Sequence, residues 1–244
     1  MQEHEQKNNE AKNIEQLKNA RTETEDVILK RRSVRVFQKK QVPEFLIKRM
    51  LEAGRFAPSA GNCMPWKFVV IREQEILDGI TQTVVDACKK FQGLIDYRWN
   101  GSIMRRIIAN IIIRSKPNDL HPVPFGAISF IADGKLSLFH NAPTVILIFA
   151  DERGIGFPTL DCGIAGQNMS LAAHSMGLGT CWIGFPKLAF ESTDKWRNRL
   201  GIDYPYKFVS SLAVGYPVGN PDGFVARPTH AVDWYEEGRK KTIY

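Results

Sequence analysis

No stretch of the 244-residue chain approaches the roughly 18 consecutive apolar residues that a membrane-crossing helix needs. The longest candidate, Ala142 to Ala150, has the length of a buried strand, so no membrane span is expected. Residues 1–30 lack an apolar core of the kind a secretory signal carries, which makes the cytoplasm the expected compartment. Cysteine is scarce. Cys63, Cys88, Cys162 and Cys181 form no CxxC pair, which argues against a zinc ribbon, an iron–sulfur module or a thioredoxin-like centre. They read as buried thiols in a reducing compartment. The chain also lacks HExxH, GxxxxGK[ST] and GxSxG, and none of His4, His121, His140, His174 and His230 has a metal-ligand partner at short spacing. Metallohydrolase, P-loop and α/β-hydrolase chemistries lose support, and no metal is expected.

Positive charge, by contrast, is in excess, with a formal net charge of +7. Lys30, Arg31, Arg32, Arg35, Lys39 and Lys40 occur with no acid among them. The segment from Asp86 to Asp119 sets Lys89, Lys90, Arg98, Arg105, Arg106, Arg114 and Lys116 against Asp86, Asp96 and Asp119. Neither place interleaves aromatics with glycine as an RNA-binding sheet does, and no helix-turn-helix or zinc-finger spacing is present. Nucleic acid is therefore not the expected partner, and a small anion suits the charge better.

Residues 1–25 are rich in Glu, Lys, Asn and Gln and read as a polar arm, either disordered or one solvated helix. From Pro43 to Gly54, the spacing of Leu46, Ile47, Met50 and Leu51 predicts a helix with Pro43 in its first turn and Gly54 at its cap. Trp66–Arg72 and Thr144–Ala150, each preceded by proline, predict buried strands of one sheet, and Thr180–Ile183 and Lys207–Val214 complete the set. Asp161–Met176 predicts a helix N-capped by Asp161 and ended by Gly177. Its Gly163, Ala165, Gly166, Ala172 and Ala173 let another backbone approach closely, at the centre of a domain or at a subunit interface. Gly177 and Gly179 resemble part of a GxGxxG fingerprint, but Trp182 replaces the third glycine and a helix precedes them, so they read as a cap and turn. From Gly219 onward the chain reads as loop. Helices and strands mix without βαβ alternation, which favours α+β.

Two segments carry the chemistry. In Arg31-Arg32-Ser33-Val34-Arg35-Val36-Phe37, three guanidinium groups and a hydroxyl can present forked donors to a phosphate dianion; the alternative is a solvated basic turn. In Ala57-Pro58-Ser59-Ala60-Gly61-Asn62-Cys63-Met64-Pro65-Trp66, small residues admit a planar ligand to the backbone while Asn62 offers a donor and an acceptor to a heterocycle edge. An ordinary helix-to-strand connection is the alternative there.

Together the two segments resemble the paired N-terminal motifs of the FMN-dependent nitroreductase family. Asn141-Ala142-Pro143-Thr144-Val145 resembles the family's pre-strand motif, Asp161 to Gly184 its central interface helix and following strand, and Leu212 to Val218 its closing strand and turn. The likeness covers about residues 27–228 and is poor near 85–135. It implies an arm at 1–25, an FMN-binding domain at 26–228 with a divergent insert at about 85–135, and a tail at 229–244. The implied fold is α+β, with a central mostly antiparallel sheet flanked by helices in an intertwined homodimer. That dimer would hold FMN at its interface, reduced by NADH or NADPH and reoxidised by a nitroaromatic, quinone or similar small acceptor in ping-pong order.

Carried over residue by residue, the likeness implies that Arg31, Arg32, Ser33 and Arg35 bind the FMN phosphate and the ribityl or pyrimidine oxygens. Pro58, Ser59, Ala60 and Asn62 would come from the partner subunit, Asp161 would reach the ribityl side, Ile183 and Gly184 would lie by N5, and Arg227 would be a second phosphate ligand. Met64 departs from the glutamine common in the family's Asn-x-Gln-Pro-Trp motif, and a thioether cannot make the amide's hydrogen bonds. No side-chain nucleophile or base is required, because the cofactor carries the chemistry. Specialised same-fold chemistry (removal of halogens, or consumption of reduced flavin) stays open, as does a flavin-binding regulator without turnover. Within 86–119 the aromatics and arginines, Trp99 and Arg105 among them, fit either a lid that touches the substrate or helical pieces covering the core.

Overall fold

The computed structural model describes residues 20–94, 102–115, 122–219 and 230–243. Most of the polar arm, together with Trp99 and Arg227, lies outside the described residues. The first helix among the described residues, α1 (Glu23–Lys30), runs across the expected end of that arm. A capping box starts it: the Thr22 hydroxyl accepts from the Glu25 N–H at 3.2 Å, and the Glu25 carboxylate accepts from the Thr22 N–H at 2.7 Å. Pro43 precedes α2 (Glu44–Arg55), which buries Ile47, Met50 and Gly54.

The apolar run after Pro65 becomes β1 (Trp66–Ile71), followed by α3 (Gln74–Leu94), α4 (Ile103–Ser115) and α5 (Pro122–Ala132). The run after Pro143 becomes β2 (Thr144–Asp151), and α6 (Pro158–Ser175) then leads through Gly177 into β3 (Gly179–Ile183). Two short helices, α7 (Lys187–Ser192) and α8 (Lys195–Leu200), precede β4 (Tyr206–Gly215). The four strands form one sheet in the order β1-β2-β4-β3, and every neighbouring pair is antiparallel.

Both faces of that sheet are covered, which is why β2 reads as an unbroken apolar run. Val145, Leu147 and Phe149 pack with Ile80 and Val84 of α3, Phe190 of α7 and Trp196 of α8. Ile146, Ile148 and Ala150 face the other way, against Met50 of α2 and Cys162 and Met169 of α6. A fully buried side chain of this size contributes about 2 kcal/mol by its removal from water.

Three sequence expectations change here. Helix α6 begins at Pro158, a proline in the first helical turn, so Asp161 lies inside that turn and is not the N-cap. Gly54 is not a cap either. A Cβ there would stand 2.9 Å from Met169 Cγ, so glycine is what lets α2 cross α6. The tail also differs from a loop. β5 (Val232–Glu236) and β6 (Arg239–Ile243) pair as a hairpin, turned by Glu237 and Gly238 at φ of 49° and 70°.

The described parts of the insert are largely helical, and five apolar side chains of α4 are left uncovered within the protomer. Ile103, Met104, Ile107, Ile108 and Ile111 are all exposed. No helix among the described residues is long and apolar enough to cross a membrane.

Candidate functional site

Gly177, at φ 75°, ends α6 and turns the chain into β3, an edge strand of the sheet. The free side of β3 is taken by the basic segment. Val34 donates its N–H to Thr180 O at 2.9 Å, with Ser33 bridging Thr180 in parallel; further on, Gln38 N–H donates to Tyr216 O at 2.8 Å and Val218 N–H to Val36 O at 3.1 Å. Close approach here depends on Gly179, whose Cβ would fall 2.5 Å from Val34 Cγ2.

This edge pairing brings Arg31 and Arg32 together with His174, Gly177, Thr180 and Gly219 around a cleft of about 230 Å³. Among the described residues no carboxylate lines it, so the donor set suits an anion. Arg32 also donates to Leu29 O, which closes the end of α1. Ser33 is half-buried on the strand edge, while Arg35 is exposed one step further along. Its charge is felt inside: burial first and then Arg35 hold His140 below the usual histidine range. Burial pushes the Cys181 thiol up, and Arg35 and Arg31 partly offset it.

Small residues and polar clamps shape the second segment. Ser59 Oγ accepts from Met64 N–H at 2.9 Å, and Ala60 N–H donates to the Asp161 carboxylate at 3.2 Å. Gly61, Asn62 and Met64 all adopt left-handed backbone, at φ of 59°, 52° and 45°. Asp161 is buried, and its role within the protomer is to hold this loop. Asp161→Ala should cost about 2 kcal/mol, seen as a thermal midpoint lower by about 6 °C; an unchanged midpoint would leave the Ala60 bond without consequence.

The two segments do not meet within one protomer. The basic segment lies on the outer edge of β3, whereas the loop leads into β1 at the opposite edge, four strand spacings or about 19 Å away. Ile183 turns its side chain into the core, and its carbonyl accepts from Ser211 Oγ at 2.8 Å. Gly184 beyond it is exposed, and a Cβ there would meet nothing within 4 Å. Arg105 lies on α4; Trp99 and Arg227 lie outside the described residues.

Burial suppresses ionisation of three of the four thiols. Cys88, Cys162 and Cys181 are buried as expected, and burial with Asp161 alongside pushes Cys162 up to about 12. Cys63 is a correction: it sits in the exposed loop. Missed altogether was His174, set aside for want of a metal-ligand neighbour. Its companions in the cleft, Arg31 and Arg32, come from the other end of the sequence, so no local spacing could reveal it.

The model of the nitroreductase family matches residues 28–216 of this chain. The chain belongs to the nitroreductase family. A relative from Methanothermobacter thermautotrophicus, named as a candidate NADH dehydrogenase/NAD(P)H nitroreductase, is 30% identical over 199 residues, covering 80% of this chain and 78% of that protein. Among solved structures, a nitroreductase with bound FMN from Desulfitobacterium hafniense DCB-2 aligns with a TM-score of 0.64 at 23% identity, over 86% of this chain and 99% of that one. An iodotyrosine deiodinase bound to FMN and 3-iodo-L-tyrosine aligns with a TM-score of 0.62 at 20% identity, over 87% and 99%. The nitroreductase-like fold, a mostly antiparallel sheet with helices on both faces, is thus shared with enzymes of more than one chemistry.

Proposed function

We propose that this nitroreductase-family protein is an FMN-dependent NAD(P)H oxidoreductase that passes hydride to a nitroaromatic, quinone or similar small acceptor in ping-pong order. The observation that carries the reading is the cationic cleft at one end of β3, with an open glycine backbone at the other. Four residue steps of strand, about 13 Å, separate Gly179 from Ile183. That span suits a phosphate at one end and a flat ring at the other.

When bound, FMN supplies the redox step, taking hydride at N5 from a nicotinamide and yielding it to the acceptor. Arg31 and Arg32 hold the phosphate, Ser33 adds a hydroxyl, and Arg227 is the second phosphate ligand. Arg35 would add a further positive charge that offsets negative charge on the ligand. Gly184 exposes backbone to N5, and Arg105 of α4, with Trp99, contacts the acceptor.

Pro58, Ser59, Ala60 and Asn62 act on the partner's flavin, since their own protomer's site lies across the sheet. A homodimer also accounts for the exposed apolar residues around that loop. Phe56, Ile155 and Phe157 are 73%, 68% and 75% exposed, with Leu160 close by. The half-exposed stripe of α6, namely Gly163, Ile164, Gln167, Asn168 and Leu171, gives the two chains a face on which to meet.

Arg31→Ala removes a charge-assisted bond of about 2 kcal/mol, so FMN affinity should fall about 30-fold in a flavin titration. An unchanged affinity would move the phosphate elsewhere. Stopped-flow oxidation of NADH and NADPH with a panel of acceptors tests the activity, and a binding protein without turnover would oxidise neither.

A further inference from the structure

His174 has no part in the reading above, yet it closes the cationic cleft from the last turn of α6. We propose that His174 is a proton-linked phosphate ligand, its imidazolium donating to a phosphate oxygen held beside Arg31 and Arg32. The ligand chemistry is a phosphate group, whether a flavin's monoester or free inorganic phosphate. For the monoester, the inference rests on the flavin reading.

Among the described residues the cleft's lining is Arg31, Arg32 and His174 with the Thr180 hydroxyl, and the remainder is apolar or glycine. Three groups able to carry positive charge lie within about 230 Å³ and repel one another, and a bound anion would offset that repulsion. Burial, then Arg31, Arg32 and Lys30, hold His174 below the ordinary histidine value of 6.5. The acids of the packed helix α1 give little relief. Asp26 is paired with Lys30 at 2.8 Å, and Glu23 lines a separate hollow against Leu171, Ala172 and Ser175. The Gly177–Gly179 turn and the Pro217 and Gly219 lining bring no charge.

Entry of a phosphate dianion reverses this balance. The bound-state value rises above that of the ligand-free protein, so the contribution of His174 is complete below the ligand-free value. It is lost as pH rises through the bound-state value. The window therefore opens on the acid side of 6.5.

FMN and riboflavin are titrated into the wild type and His174→Gln at about pH 5.5 and about pH 8.5. The wild-type advantage for FMN should be about tenfold at the lower pH and below about twofold at the higher. Riboflavin, without a phosphate, should show no advantage at either. Independently, the imidazole resonance of His174 in the flavin-free wild type should titrate at higher pH when inorganic phosphate is added; a rise with FMN alone assigns the ester as the ligand. Equal ratios at both pH values, riboflavin weakened as much as FMN, or no rise with either ligand overturns the proposal. Failure of FMN to bind the wild type at any pH would sink the flavin reading, while a rise with inorganic phosphate would still uphold the His174 site.

Discussion

Ala165→Trp is expected to leave no folded protomer. Ala165 is wholly buried, and its carbonyl oxygen lies 3.3 Å from where a Cβ on Gly54 would stand, so α2 and α6 touch backbone to backbone at this point. Next to it, a Cβ on Gly166 would fall 2.2 Å from Trp182 Cη2. An indole has nowhere to go. Adding even a few methylenes to a packed core costs about 1–3 kcal/mol, and a tryptophan adds far more than that against a total stability of about 5–15 kcal/mol. Soluble yield and far-ultraviolet circular dichroism read the result directly. A well-folded variant with weakened association would instead place Ala165 in the subunit interface.

Gly163→Trp should do the opposite, keeping the fold and losing the dimer. Gly163 is half-exposed on the stripe of α6 that faces outward, and a Cβ there meets nothing within 4 Å. Removing a helix-interior glycine favours the helix by up to about 1 kcal/mol, so the protomer tolerates the change. Its indole then blocks close approach of a second chain. If the proposed dimer forms through this stripe, sedimentation should show a folded monomer, and FMN affinity should drop about 100-fold or more for want of the partner's Pro58–Asn62 loop. A flavin-loaded dimer in this variant would remove the stripe from the interface.

The contrast between these neighbours explains what the sequence could and could not reveal. Small residues in α6 announced close packing, but glycine and alanine look alike whether they face a domain centre or another chain. Here Ala165 and Gly166 face inward to Gly54 and Trp182, and Gly163 alone of the three faces out. The strands were legible because a sheet covered on both faces demands continuous apolar runs, and Pro65 and Pro143 mark where they begin. The hairpin at 232–243 was not, because its signal is weak: Glu237-Gly238 flanked by short, exposed, charged strands. Asp161 was legible as a helix-start residue but not in its role, since its partner Ala60 lies 101 positions away. For the same reason the basic segment was legible as a cluster of cations, while His174, which lines the same cleft, stayed hidden.

The placement of the two motifs on opposite edges of one sheet has a consequence for dilution. If each flavin needs the β3 edge of one chain and the β1 loop of another, cofactor retention follows mass action in the protein itself. With free FMN held at a fixed concentration, halving the total protein concentration near the dimer dissociation constant should then release flavin. At the same fixed free FMN, the melting temperature should likewise rise with protein concentration, which it would not do for a site built from one chain.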